Sequence, residues 1–219
     1  MFYYKLNIII LIKGSKMDCL ENLIKTNKIK LFIFDCDGTL MDTLDSHYNS
    51  WNETYDSLTY NFISKQEFVN FYAGTSGDEL ISIINERLNY NLNIKDVHNL
   101  KNNIFMEKYL NKVQPIKKTL NIIKKYHGVF PFILASGGEK HIVHKLLDLN
   151  NLSHYFVDII SISDVNLGKP APDLFLTASN RIQISPENCL VFEDAETGFQ
   201  AAKNANMKYI DINSFNLFI

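Results

Sequence analysis

Two aspartates one residue apart, Asp35 and Asp37, follow an apolar run and precede Gly38 and Thr39. A carboxylate at a strand tip is a competent nucleophile toward phosphorus once the phosphate's own charge is neutralised, and Asp35 takes that role. Asp37, two residues on, projects to the same side while the chain stays extended, where it can protonate a leaving oxygen and later take a proton from water. Gly38 permits a sharp turn; Thr39 either donates to a phosphate oxygen or holds the loop. Three further polar clusters lie far away in the chain: Ser136 before Gly137 and Gly138, Lys169 in GKPAPD at 168–173, and Glu193 with Asp194 in FEDAETG at 192–198. Lys169 offers a point charge to a phosphate, and the Ser136 hydroxyl and Gly137 amide offer donors near a helix start, where anions are favoured. Clustered carboxylates and an incoming phosphate repel one another, which calls for a divalent cation. Asp35, Asp194 and a backbone carbonyl are hard oxygen ligands suited to Mg²⁺, with Glu193 a further ligand or a partner behind the ligands.

Each cluster alone has a plainer reading: a solvated turn for the aspartate pair, a surface lysine, a helix cap at Ser136, the opening of a helix at Glu193 and Asp194. Their joint placement argues otherwise. Apolar stretches at 29–34, 129–135, 158–163, 189–192 and 209–212 predict short buried strands. Helical patterns lie between them: one carrying Leu120, Ile122 and Ile123, one carrying Ile142, Val143, Leu146 and Leu147, one from about Pro172 to Arg181, and one opened by Thr197 and Gly198. Strands alternating with helices predict an α/β fold, a Rossmann-like parallel sheet covered on both faces. In such a sheet ligands bind beyond the carboxyl ends of the strands, and the polar clusters fall there. From Leu44 the residues Tyr48, Trp51 and Tyr55 recur at helical spacing, and 46–113 is helical in pattern with no convincing strand. That block interrupts the alternation after the first strand, so the expected division is a core of 17–45 and 114–219 with an inserted cap at 46–113. Asp18 is placed as the cap of a short first helix carrying Leu20, Leu23 and Ile24.

The apolar fraction of 46% is enough for a real core, and the formal net charge of −2 provides no bulk basic field for nucleic acid. Cys19, Cys36 and Cys189 are an odd set without metal spacing, which suits a reduced, cytoplasmic protein. The apolar run Ile8–Ile12 is too short for a membrane span, which needs about 18 to 20 apolar residues. Residues 1–16 are taken as an extension, with Met17 an alternative start; a monomer without nucleic-acid or membrane partners is expected.

DCDGTLMDT at 35–43, ASGG at 135–138, GKPAPD and FEDAETG, in that order, resemble the four signature motifs of the haloacid dehalogenase superfamily, over most of the chain from about Lys28 to Ile212. The insertion after the first motif resembles the small helical cap of the beta-phosphoglucomutase-like subgroup, and the chain is most similar to bacterial sugar phosphatases acting on fructose 1-phosphate and 6-phosphogluconate. The resemblance implies an aspartyl-phosphate on Asp35, Asp37 as acid and base, Mg²⁺ held by Asp35, the Asp37 carbonyl and Asp194, and a phosphate gripped by Ser136 and Lys169.

In the cap, Thr43 and His47 fall where related enzymes have a hinge and a polar contact, and AGTSG at 73–77, with Gly74, Thr75 and Ser76, resembles the loop that closes over the sugar. Plainer readings are a surface histidine and an ordinary helix–helix turn. The stripe of Leu44, Tyr48, Trp51 and Tyr55 reads as cap core rather than a sugar platform. The expected function is a Mg²⁺-dependent phosphatase of small phosphorylated sugars. A beta-phosphoglucomutase on the same core is the alternative; the 73–77 loop has no Arg immediately after its glycine, which favours hydrolysis, while Arg87 and Lys101 remain available elsewhere. A non-catalytic sugar-phosphate-binding protein is a third.

Overall fold

The computed structural model describes residues 16–214. The central strand β1 is Leu31–Phe34, every residue of it buried. It pairs in parallel with β4 (Phe132–Ala135) on one side and β6 (Cys189–Glu193) on the other. The edges are β5 (Asp158–Ile160) and β7 (Lys208–Asp211), so the order is β5-β4-β1-β6-β7. All pairings in this sheet are parallel. This is the α/β, Rossmann-like sheet that the alternation predicts.

Strand parity sorts the core into two layers. Phe32, Phe34, Phe132 and Phe192 face one way, with Phe34 and Phe192 stacked at 4.5 Å between ring centroids. Helices α1 (Lys16–Thr26), α6 (Lys117–Tyr126) and α7 (Lys140–Leu149) cover that face through Leu20, Ile122, Ile123, Leu146 and Leu147. Leu31, Ile33, Ile133 and Val191 face the other way, under Leu174, Phe175 and Ala178 of α8 (Asp173–Arg181) and Ala201 and Ala202 of α9 (Glu196–Asn204).

A third apolar cluster forms inside 46–113. Trp51 and Tyr55 of α2 (Leu44–Ser57) meet Leu80, Ile81 and Ile84 of α4 (Gly77–Leu88), Val97 of α5 (Ile94–Ile104), and Phe68. The short helix α3 (Lys65–Glu67) runs into a π-turn at Phe68–Tyr72, and α5 into another at Phe105–Tyr109. The stripe from Leu44 to Tyr55 therefore packs as core. Phe105, Leu110 and Val113 instead pack with the sheet's first layer, so the last turns of the insertion face the sheet rather than the cap cluster.

Four local differences from the sequence expectations have physical causes. The strand foreseen at 129–135 begins only at Phe132: Pro131 has no N–H and contributes just its carbonyl, to the Phe32 amide at 3.2 Å, while Val129 is exposed. The strand foreseen at 158–163 stops at Ile160, because Ser161 and Asp164 cap a 3₁₀ turn reciprocally, with Asp164 accepting from both the Ser161 amide and hydroxyl. Helix α1 starts at Lys16, so Asp18 lies in its first turn rather than capping it. A two-residue ribbon, β2 (Met41–Asp42) antiparallel to β3 (Gln114–Pro115), joins the two chain crossings into the insertion and is too short to show a pattern in sequence. The extension expected at 1–16 lies, apart from Lys16, outside the described residues. Among the described residues no helix is long and apolar enough to cross a membrane.

Candidate active site

The strand order reverses about β1, and the polar clusters meet above its carboxyl end, where such sheets open a crevice. Asp35 leaves the sheet with its amide still bonded to the Phe192 carbonyl at 3.0 Å, and it is buried. The loop then turns on itself: the Leu40 and Met41 amides return to the Cys36 carbonyl at 2.9 and 2.8 Å, and the Gly38 amide reaches the Met41 carbonyl at 2.8 Å. Gly38 sits at φ +77, and a Cβ there would lie 2.2 Å from Asp194 Oδ2. Only glycine lets this loop lie so close to the β6 loop.

Lys169, from the loop before α8, is the hub of the buried charges. Its ammonium donates to Asp35 Oδ1 and, at 2.5 Å, to Glu193 Oε1, with both carboxylates almost fully enclosed. Burial alone would lower the Lys169 pKa; the charges and hydrogen bonds of Asp35 and Glu193 more than reverse this and raise it. Burial also pushes Asp35 well above the usual carboxylate range, with Lys169 working against it and Glu193, Asp194 and Asp37 adding to it. Asp194 is pushed up to about 6 by burial and then by Glu193, against the Thr39 hydrogen bond and Lys169.

Carboxylate oxygens of Asp35, Glu193 and Asp194 lie within 4.8 Å of one another. One ammonium faces all three, so the set carries an excess of buried negative charge, and its donors are all hard oxygens. Both features fit a divalent cation, whose charge would relieve the strain on Asp35 and Asp194.

Two residues settle on one of their expected roles. Thr39, foreseen as a phosphate donor or a loop anchor, is fully buried and donates to Asp194 Oδ1 at 2.8 Å, so it anchors the aspartate and is not turned to a phosphate. Glu193, foreseen as a ligand or a partner behind the ligands, has both oxygens engaged: Oε1 with Lys169, Oε2 with the Asp194 and Ala195 amides at 2.7 and 2.9 Å. It braces the loop that presents Asp194.

Asp37 faces His47 of α2 and keeps 37% of its side chain accessible. Its Oδ2 lies 3.4 Å from the Ser136 hydroxyl, which itself accepts from the Gly138 amide at 3.0 Å, and Gly137 is open at its Cα. Its Oδ1 meets His47 Nε2 at 3.1 Å. Burial would raise the Asp37 pKa, but the His47 bond and charge, the Thr43 hydrogen bond and Lys101 together hold it at about 2. Thr43 is buried at the entry to α2 and so ties the first turn of the cap to this carboxylate. His47 is stacked on Phe105 at 4.6 Å between centroids, and its pKa is lowered by burial and then by Lys101, against Asp37.

Lys101 completes the arrangement. Its ammonium, 6% exposed, lies 3.0 Å from His47 Nδ1, with Trp51 and Phe105 rings 5.4 and 4.9 Å away. Burial pulls it down to about 8, against Asp37 and Glu139. Its neighbour Asn102 donates across to Glu139 Oε1 at 2.7 Å, linking cap to core. The sequence singled out Lys101 only as a spare cation and did not single out Asn102 or Glu139. Lys101 stands 54 positions from His47, so no local spacing could pair them. For Glu139, its place directly after the SGG turn was the available signal.

The 73–77 loop reaches the core: a Cβ on Gly74, at φ +85, would sit 3.2 Å from the Ala195 Cβ and 3.8 Å from Thr197 Oγ1. Thr75 is half-buried, whereas the Ser76 oxygen is taken up as N-cap of α4, accepting from the Glu79 amide at 3.4 Å. Ser76 is exposed, and its hydroxyl proton is not used by this cap.

A family model described as haloacid dehalogenase-like hydrolase matches residues 32–212. The fructose-1-phosphate phosphatase YqaB of Escherichia coli (strain K12) is 32% identical over 185 residues, covering 82% of this chain and 94% of its own length. The beta-phosphoglucomutase of Bacillus subtilis (strain 168) is 27% identical over 190 residues, covering 82% of this chain and 81% of its own. Among solved structures, CbbY from Rhodobacter sphaeroides in complex with phosphate superposes with a TM-score of 0.73 at 24% identity, over 83% of this chain and 84% of that one; the likeness concerns the fold.

Proposed function

The chain belongs to the haloacid dehalogenase-like hydrolase family, and from that premise we propose that it is a Mg²⁺-dependent phosphatase of small phosphorylated sugars such as fructose 1-phosphate. One observation carries the reading: Asp35, Lys169, the carboxylates of Glu193 and Asp194, and Asp37 beside Ser136 meet at the carboxyl end of the central strand, brought there from four segments. It acts as a cytoplasmic monomer, with no nucleic acid or membrane as partner.

The substrate phosphate lies beside Asp35, with Lys169, the Ser136 hydroxyl and the Gly137 amide as donors. Asp35, Asp194 and the Asp37 carbonyl, with Glu193 behind them, would hold Mg²⁺, which would supply positive charge to offset the carboxylates and the phosphate. An Asp35 oxygen attacks phosphorus, the bond to the sugar oxygen breaks, and Asp37 passes its proton to that oxygen. The free arrangement holds Asp37 ionised; a phosphate dianion placed next to it favours the protonated form, which equips it as the acid. Asp37 then takes a proton from water, the oxygen of which attacks the aspartyl-phosphate, and inorganic phosphate leaves with Asp35 restored. The insertion at 46–113 closes over the leaving group and excludes bulk water, which is the role assigned to the Gly74 contact and to His47.

The test is phosphate release from a panel of phosphorylated sugars, with Mg²⁺ and with the metal chelated. Turnover should need the metal, and Asp35→Asn should abolish it on an aryl phosphate as well; substantial turnover by that variant would exclude the mechanism. The mutase reading has the Bacillus subtilis relative in its favour. Against it, Arg87 is paired with Glu67 and Tyr72 on the cap surface, and Lys101 is held on His47. Beta-glucose 1-phosphate should therefore yield free phosphate rather than glucose 6-phosphate.

A further inference from the structure

The side of Asp37 where a leaving group must lie is bordered by a chain of contacts: Asp37 to His47, His47 to Lys101, Lys101 to Asn102 at 3.4 Å, and Asn102 to Glu139. Glu139 ends this chain on the core side. It stands three residues after Ser136, at the entry to α7, where its side chain does not cap the helix. Its Oε1 is held by Asn102, its Oε2 lies 3.5 Å from His141 Nδ1, and 37% of the side chain remains accessible. Glu139 also lies near enough to Lys101 to act on it electrostatically.

The charges around that space do not suit an anion. Glu139 contributes a carboxylate with one oxygen not taken by Asn102, and Asp37 beside Ser136 carries no positive charge in either protonation state. Lys101 is the ammonium in this chain of contacts; it lies against His47 and is close enough to Asp37 and Glu139 to feel both charges. Lys140, next in sequence to Glu139, is drawn away by Asp164 at 3.0 Å, and Arg87 is occupied by Glu67. A hydroxyl-rich leaving group can donate to the open carboxylate oxygen, whereas a second phosphate or a carboxylate would meet it as a like charge.

Resting on the phosphatase reading, we propose that Glu139 is a specificity residue that directs the enzyme to monophosphates of neutral sugars and polyols and against substrates bearing a second anion, both bisphosphates and phosphorylated sugar acids.

The experiment compares wild type with Glu139→Gln, which keeps size and hydrogen bonding and removes the charge, on fructose 1-phosphate, fructose 1,6-bisphosphate and 6-phosphogluconate. The ratio of kcat/KM for the doubly anionic substrates to that for fructose 1-phosphate should rise about tenfold, the scale of one partly screened unit charge at contact range. Raising the salt concentration should narrow the wild-type preference and leave that of Glu139→Gln nearly unchanged. Asn102→Ala separates charge from simple bracing: it breaks the link between cap and core yet should keep the wild-type ranking. An unchanged ratio in Glu139→Gln, or the same relaxation in Asn102→Ala, overturns the proposal while leaving the phosphatase reading intact. A wild type that releases phosphate from none of the three overturns both.

Discussion

Replacing Lys101 by Met should stabilise the protein while impairing it. Lys101 is 6% exposed, and its pKa falls from 10.5 to about 8, through burial first, with Asp37 and Glu139 opposing. Each pKa unit corresponds to ~1.4 kcal/mol, so carrying this proton into the fold costs about 3 kcal/mol. Met keeps an unbranched stem against Trp51 and Phe105 and removes the charge, at the expense of one partner for His47 Nδ1. The net gain at pH 7 should be about 2 kcal/mol, or ~4–8 °C in Tm for a chain of this size.

The pH dependence has a definite sign. Below about 8 the lysine is protonated in both states and the full penalty stands. Between about 8 and 10.5 the unfolded chain holds more protons than the folded one, so wild-type stability rises relative to that of the variant. Denaturant unfolding of both proteins at pH 7 and at pH 10.5 should show the advantage of Lys101→Met shrinking toward zero. Turnover should fall ~10-fold, because His47, freed of the neighbouring ammonium, protonates more readily and holds Asp37 in its ionised form. A variant that is less stable at pH 7, or an advantage of equal size at both pH values, refutes the reasoning.

Gly38→Ala should lose phosphatase activity by ~10²-fold or more, since its Cβ would be driven into Asp194 at a positive φ; thermal melts should confirm that the fold survives. Gly198→Ala is the corresponding test of Glu193: the new Cβ would fall 1.8 Å from Glu193 Oε1, so Lys169 should lose that partner, with stability down ~1–3 kcal/mol by denaturant titration and activity down with it. Chelating the divalent cation should stop phosphate release, and Mg²⁺ should restore it in Asn102→Ala as fully as in wild type, because Asn102 lies on the cap side of the crevice. Exchanging residues 73–77 should reorder sugar phosphates while sparing acetyl phosphate, a substrate too small to reach the cap; equal losses on both would contradict the division of labour.

The core of this fold was legible in the chain because its signals are local. Buried apolar runs such as Leu31–Phe34 and 189–192 lead directly into Asp35 and Glu193, so the strand and its polar tip are read together. The alternation of such strands with amphipathic helices determined a parallel sheet, and the parallel sheet determined which end would carry Asp35, Ser136, Lys169 and Asp194. Strand ends were less visible where a single side chain overrides propensity, as Pro131 and the Ser161–Asp164 cap do.

Tertiary structure alone decided how the charges are shared. Thr39 and Glu193 each had two roles open to them; contacts across 155 and 24 positions made Thr39 an anchor of Asp194 and Glu193 a brace for Lys169. The link from Asp37 through His47 to Lys101, and from Asn102 to Glu139, joins residues of the insertion to residues on both sides of it. Residue types and spacing along the chain fix which chemistry is available. Burial and distance fix which proton sits where, and those exist only once the insertion has packed against the sheet.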